Sequence, residues 1–263
     1  MDAVITAGSV PAPDDPLYEY SQGRSKALVD LAGRPMIQWV LDAVAGAARV
    51  ENVVIVGLDE SSGIVAPGGK PLAFLPSEGD MIPNIQAGVR WAAANNQQAR
   101  HVLLASSDIP TISTAMVDWI LDQAEAGDYD LCYSVVDKEV MEKRFPGSKR
   151  SYITTKDAVV CGADLNVVSV RAVLDIAHRD LWEKVVESRK NAFKQAQLVG
   201  FDILLGLLTR RITLASAEEK ISQRLGFRGH ILRCPYAEVG MDVDKPWQLE
   251  LLQRDMAQRA VAA

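Results

Sequence analysis

MDAVITAGSVPAPDDPLYEYSQGRSKALVDLAGRP, residues 1–35, is the stretch whose residue types and order read as chosen for chemistry rather than packing. Val4, Ile5 and Thr6 make a short β-branched run that Ala7 and Gly8 end. A polar, Pro-rich loop follows, then Lys26 and the sequence Leu31-Ala32-Gly33-Arg34-Pro35. A glycine just past a buried strand lets the backbone approach a ligand closely, and loop N–H groups there can face an anion such as a triphosphate. Lys26 adds a mobile positive charge. Pro35 stands where a first helical residue would, and Ile37, Val40, Leu41 and Val44 recur at helical spacing, so the loop is anchored between a strand and an amphipathic helix.

Outward from this stretch the chain alternates. Asn52 to Gly57 and Pro71 to Pro76 read as strands, Pro83 to Asn95 as a helix, His101 to Ser106 as a strand, and Thr114 to Ala126 as a helix closed by Gly127. That rhythm predicts a doubly wound, mostly parallel α/β sheet. Trp119 and Met116 belong to packing, because Val117, Ile120, Leu121 and Ala124 share a face of their helix. From Asp130 to Val170 the pattern changes to short strand-like runs without long helices between them, which predicts some antiparallel pairing. Residues 178–226 read as a helical insertion, with Trp182, Val185, Val186 and Phe193 on one face and the Phe201 to Leu208 run as its buried side. A homodimer contact is the alternative for that run. Gly229 to Cys234 returns as a strand, and Asp244-Lys245-Pro246 leads into a final helix.

With 48% hydrophobic and 24% charged residues among 263, the chain has ample material for a core and reads as one domain spanning 1–263. A formal net charge of −6 argues against a general nucleic-acid surface, though a small anion can still be held locally. Cys132, Cys161 and Cys234 lie far apart with no C-x-x-C pair, so neither a zinc site nor a disulfide framework is indicated. No apolar window is long enough to span a bilayer, and no secretory leader pattern opens the chain, so a cytoplasmic protein with no membrane partner is expected.

Two acidic sites stand out. Asp108 follows the strand His101 to Ser106, at the carboxyl end where an open α/β sheet places its ligand crevice, the end that also carries Gly8. A carboxylate there suits Mg²⁺, which takes oxygen ligands and bridges one or two carboxylates to substrate phosphates. It would equally suit a cap for the helix near Thr114. In Asp242-Val243-Asp244, alternation along an extended segment points both carboxylates to one side, where they repel unless a cation joins them. Asp244 could instead cap the helix that begins near Pro246. Ser106 and Ser107 have no nearby histidine in sequence, and His101, His178 and His230 show no ligand spacing, so nucleophilic serine chemistry is disfavoured.

The order of the TAG turn, the long loop, S-K-A-L and L-A-G-R-P-M-I resembles the nucleotidyltransferases with a glycosyltransferase-A-like fold, nearest the molybdenum-cofactor guanylyltransferase-like (MobA-like) NTP transferases. The resemblance implies a three-layer α/β/α architecture, a mostly parallel mixed sheet here carrying a helical insertion, and Mg²⁺-dependent transfer of a nucleotidyl group from a nucleoside triphosphate to a small acceptor. Ala7, Gly8 and Lys26 match the nucleotide-binding opening. Ser9 stands where a second glycine is expected, Val10 to Asp15 replaces further Gly and Arg positions, Ser25 replaces the proline before the lysine, and Arg24 could supply the missing charge. S-D-I-P matches the family's metal-binding aspartate at Asp108, and D-V-D-K-P its closing motif, which carries metal binding to Asp244 first and Asp242 second. Asn84 and Gly88 fall near the expected nucleoside position. Arg150, Asp164, Asn166, Arg189 and Lys190 resemble positions facing the acceptor, although basic pairs such as Lys143-Arg144 and Lys149-Arg150 are commonly solvated faces. A catalytically weak nucleotide-binding or regulatory protein on the same scaffold is the main rival. A glycosyltransferase is disfavoured by the triphosphate-type loop, and a Rossmann oxidoreductase by the missing G-x-G-x-x-G.

Overall fold

The β-branched run of the opening stretch forms strand β1 (Asp2–Thr6), whose Ala3, Val4 and Ile5 are wholly buried. A strand buried on both faces needs partners on both edges and cover above and below. In this computed structural model, which describes residues 1–175 and 200–262, β1 lies between β4 (Val53–Val56) and β6 (His101–Ser106), parallel to both. Strand β5 (Leu72–Leu75) continues the parallel half beyond β4. After the short helix α1 (Tyr18–Ser21), a two-residue hairpin, β2 (Asp30–Leu31) with β3 (Arg34–Pro35), carries the chain into helix α2 (Met36–Gly46), where Ile37, Val40, Leu41 and Val44 are all buried, as their spacing predicted.

Alternation along the strands splits the core into two layers. Ala3 and Ile5 face one side, packed with α2, with α4 (Thr114–Glu125) and with the final helix α9 (Pro246–Ala262). Val4, Val54 and Val56 face the other, under α3 (Met81–Asn95) and the short α6 (Val170–Leu174). The result is a three-layer α/β/α sandwich.

The other half of the nine-stranded sheet is mixed. Strand β10 (Leu165–Ser169) runs antiparallel between β6 and β7 (Leu131–Asp137); β9 (Val159–Gly162) continues beside β7 and pairs with β8 (Ile153–Thr154); β11 (Gly229–Cys234) lies along the other edge of β7, parallel to it. Strands β9 and β10 follow the same edge of β7 but break at Ala163 and Asp164. Asn166 bridges the break, its Oδ1 accepting the Ser134 N–H at 2.8 Å. Such a bulge re-aims the side chain it carries, here that of Asp164.

Two helices in this region escape the sequence reading: α6, and α5 (Lys138–Arg144). Each is too short to show a period, and only a cap marks the start of α6, where Ser169 Oγ accepts from Ala172 N–H at 3.0 Å. Within the insertion, α7 (Phe201–Leu208) and α8 (Leu214–Leu225) are helical as expected. The part over 178–199, with Trp182, Val185, Val186, Phe193 and the acceptor candidates Arg189 and Lys190, lies outside the described residues. The Phe201 to Leu208 run is not the buried side it was expected to be. Only Ile203 is buried, while Leu205 and Leu208 are 62% and 74% exposed, because the helix packs one stripe against Ile212 and Ala217. All three cysteines are buried and free. No described helix is long and apolar enough to cross a membrane.

Asp130 locks the mixed half in register. Its carboxylate accepts from Ser169 Oγ (3.0 Å), Arg171 Nη2 (2.7 Å) and the Arg228 N–H (2.9 Å), joining the starts of β7, α6 and β11. Burial opposes its ionisation, but these donors outweigh burial and hold its pKa below the usual carboxylate range. Asp130→Ala should cost about 1–3 kcal/mol in chemical denaturation by leaving buried donors unpaired. Because the folded pKa is the lower one, the stabilisation is complete above the unfolded value of about 3.9 and lost as pH falls through the folded value. Wild type and variant should therefore converge in acid.

Candidate active site

The long loop after β1 is closed by bonds at its two ends. Ser25 Oγ donates to the Ala7 carbonyl at 2.6 Å and accepts from Ala27 N–H at 3.2 Å, while Lys26 N–H donates to the Ser9 carbonyl at 2.8 Å. The serine that stands in place of a proline thus ties the loop shut and caps the single helical turn Lys26–Leu28. Ala7 is buried, whereas Ser9 and Arg24 lie on the exposed excursion. A Cβ on Gly8 would come within 2.6 Å of Ser77 Oγ and 2.7 Å of Asn84 Nδ2, so only glycine lets the strand end sit against the start of α3.

This closure presents Lys26 to two carboxylates distant in sequence. Its ammonium donates to Asp108 Oδ2 and, at 2.8 Å, to Asp244 Oδ1. Asp108 is further held by Ser106 Oγ, which donates to its other oxygen at 2.5 Å, and its backbone carbonyl accepts from Val243 N–H at 3.0 Å, fastening the end of β6 to the Asp242–Asp244 segment. Asp244 does not use its side chain as a helix cap: its N–H donates to Gln248 Oε1 at 2.8 Å, leaving the carboxylate turned to Lys26. Burial would lower the lysine pKa, but the two carboxylates outweigh it and hold the ammonium above its ordinary value. Burial likewise opposes ionisation of Asp244, and the Lys26 charge outweighs it, drawing that carboxyl below its ordinary value.

The remaining candidates separate. Asp242 does not share a cation with Asp244; it pairs with Arg150, and both side chains are largely buried. Arg150 thus meets Asp242 through Nη1, while its buried Nε has no hydrogen-bond partner among the described residues. Asn166 lines the same cavity as Asp164, its amide donating to the Ala163 carbonyl at 3.0 Å while its oxygen fills the gap in the β7 ladder. Asn84, expected to meet a base, is 3% exposed; its Oδ1 accepts from Glu78 N–H at 2.7 Å and so shapes the loop before α3. Gly88 is a packing residue, because a Cβ there would collide with Val4 of β1. The basic residue Arg144 is taken up by Glu238 and Asp255.

Asp164 differs from all of these. The break between β9 and β10 sets it near the Lys26 cluster, and no described group donates a hydrogen bond to its carboxylate. Burial, reinforced by the Asp108 charge, pushes its pKa up to about 6. It lines a cavity of about 300 Å³ between α3 and the sheet, whose other polar walls include Thr6, Ser106 and Tyr133. Sequence reasoning passed over Ser25, Ser106 and Tyr133. The first was read only as a substitution and the second only as a nucleophile. Nothing in the sequence distinguishes Tyr133 from a strand tyrosine.

Among the described residues no three His, Cys, Asp or Glu side chains are grouped to hold a metal by themselves. Asp108 and Asp244 nevertheless converge on one cationic point. Two carboxylates on one point form the sparse oxygen set that Mg²⁺ takes when phosphates and waters complete its shell.

Comparison with known proteins places this geometry in context. Residues 21–200 match the model of the MobA-like NTP transferase domain. A hypothetical transferase from Thermus thermophilus is similar at 34% identity and a TM-score of 0.78, with 95% of this chain and 100% of that one covered. Two more distant structures share the fold. One is a CMP:2-keto-3-deoxy-manno-octonic acid synthetase complexed with CTP, at 15% identity, TM-score 0.58 and 98% of both chains. The other is a 4-diphosphocytidyl-2C-methyl-D-erythritol synthase from Anaerococcus prevotii, at 10% identity, TM-score 0.59 and 97% of both chains. No curated protein matches the sequence.

Replacing Lys26 with Met removes the cation that Asp108 and Asp244 share. The variant should lose about 1–3 kcal/mol in urea denaturation, the range for stranding a buried polar partner. An unchanged midpoint would mean that the carboxylates hold their place without the lysine.

Proposed function

The chain belongs to the MobA-like NTP transferase family, and from that premise we propose that it transfers the nucleotidyl group of a nucleoside triphosphate to a small phosphorylated or hydroxyl-bearing acceptor, releasing pyrophosphate. The observation that carries this reading is the meeting of Lys26 with Asp108 and Asp244 at the carboxyl end of β1 and β6. The CTP complex of the distant synthetase supports a nucleotide as the partner.

Each residue has a part in this reading. The Gly8 backbone admits the phosphates at the strand end, and Ser25 keeps the loop closed behind them. Lys26 exchanges its carboxylate partners for phosphate oxygens and offsets the charge that develops on the departing pyrophosphate. Asp108 and Asp244 would hold Mg²⁺, with Ser106 fixing the orientation of Asp108. Bound there, the ion would supply positive charge to offset that of the reacting phosphates. Displacement at phosphorus needs no covalent enzyme intermediate, in keeping with the absence of a paired serine and histidine in the described cluster.

The departure of the loop from the glycine-rich pattern over Ser9 to Gly23 favours a second reading, a nucleotide-binding regulator without turnover. Pyrophosphate release separates the two, since a regulator binds the nucleotide tightly and releases none with any acceptor.

Titration calorimetry of each nucleoside triphosphate, with and without Mg²⁺, tests the site. Asp108→Asn and Asp244→Asn should each abolish the Mg²⁺-dependent part of the affinity while the circular dichroism spectrum stays that of the wild type. Undiminished metal dependence in both variants would remove these carboxylates from the metal site.

A further inference from the structure

The cavity between α3 and the sheet bears on the acceptor, which the reading above leaves as either phosphorylated or hydroxyl-bearing. At about 300 Å³ it is roughly twice the ~150 Å³ cavity that accepts a benzene ring, and it falls at the lower end of the range for small-molecule sites. It adjoins the Lys26 cluster directly: Ser106 lines it and also donates to Asp108, and Thr6 lines it at the end of β1. Much of its wall is aliphatic, formed by Ile82, Ile85, Leu104, Leu131, Val168 and Val173.

Charge decides between the two acceptor types. Among the described residues that line the cavity there is no Lys, Arg or His, and the one carboxylic acid is Asp164. The nearest cations have other partners: Arg150 meets Asp242, and Lys26 meets Asp108 and Asp244 and, on the reading above, passes from them to the triphosphate. A phosphate placed in the cavity would lose its hydration without gaining a counter-charge, and it would face a carboxylate. A neutral hydroxyl at the same place gains a charge-assisted hydrogen bond by donating to that carboxylate, which no described group otherwise satisfies.

We infer that this cavity selects an uncharged acceptor, an apolar body of about eight to ten carbons bearing a hydroxyl, with Asp164 as the residue that accepts the hydroxyl hydrogen bond and rejects phosphorylated analogues. The bulge at Ala163 and Asp164 is the device that aims the carboxylate. An unbroken strand would continue the β7 pairing through Ser134, whereas here Asn166 fills that ladder position and Asp164 lines the cavity. The elevated pKa of Asp164 agrees with a carboxylate that lacks a donor, although the inference stands on the lining and the geometry.

This inference rests on the nucleotidyltransferase reading, and its test keeps the two apart. The full chain is titrated with 1-octanol and with octyl phosphate by calorimetry, and separately with nucleoside triphosphates. The expected result is 1-octanol binding at least tenfold tighter than octyl phosphate. Ile85→Trp, which fills the cavity, should remove octanol binding while triphosphate affinity stays unchanged. Gln86→Trp, on the same wall at a half-exposed position, serves the same purpose if Ile85→Trp fails to fold. Asp164→Asn should narrow the discrimination between the two probes by tenfold or more. Octyl phosphate binding as tightly as 1-octanol, or octanol binding that survives the filled cavity, would overturn the inference. Failure of every triphosphate to bind would instead remove the proposed function, whatever the octanol result.

Discussion

One ammonium group shared by two carboxylates organises this molecule. Lys26, Asp108 and Asp244 come from the loop after β1, the end of β6 and the approach to α9, so their meeting fastens three distant segments at the carboxyl ends of the central strands. Two like charges about 4 Å apart repel by about 4 kcal/mol at an effective dielectric near 20, so the carboxylates need a cation between them. The same need makes the place useful, because a group that must be neutralised in the resting protein can exchange one cation for another. Ser25, Ser106 and the Val243 N–H bond to the Asp108 carbonyl all hold this arrangement.

Around that centre the two halves of the sheet divide the work. The parallel half ends its strands in the glycine and lysine loop, where backbone and ammonium can face phosphates. The mixed half supplies a bulge, a cavity and a set of spent charges. Arg150 and Asp242 neutralise each other, Arg144 binds Glu238 and Asp255, and Asp130 gathers Ser169, Arg171 and Arg228. This half also leaves the Asp164 carboxylate in the cavity wall with no hydrogen-bond donor among the described residues. On the proposed function, that difference in charge between the two sides of the crevice would distinguish a triphosphate from its acceptor.

Several residues that look chemical in the sequence are architectural. Asn84 holds the loop before α3, Gly88 lets α3 approach β1, and Asn166 replaces a lost ladder bond. In each case a polar or small side chain sits beside the crevice because the backbone there leaves the regular pattern and its polar groups need partners. Proximity to a site and participation in it are distinguished by where the hydrogen bonds go.

The sequence by itself determined the alternation of strands and helices, the buried faces of α2 and α4, and the segments that carry Lys26, Asp108 and Asp244, because periodicity and turn chemistry are local and survive in a linear reading. It did not reveal α5 or α6, which are too short to show a period, nor the exposed side of α7, whose apolar composition masks a narrow buried stripe. Only the tertiary structure decided that Asp242 and Asp244 turn to different cations and that Asp164 stands without a donor. Pairing of charges across the fold depends on which distant segments the sheet order brings together, and no local pattern encodes that. The break between β9 and β10 has the same origin: a bulge exists only relative to the strand beside it.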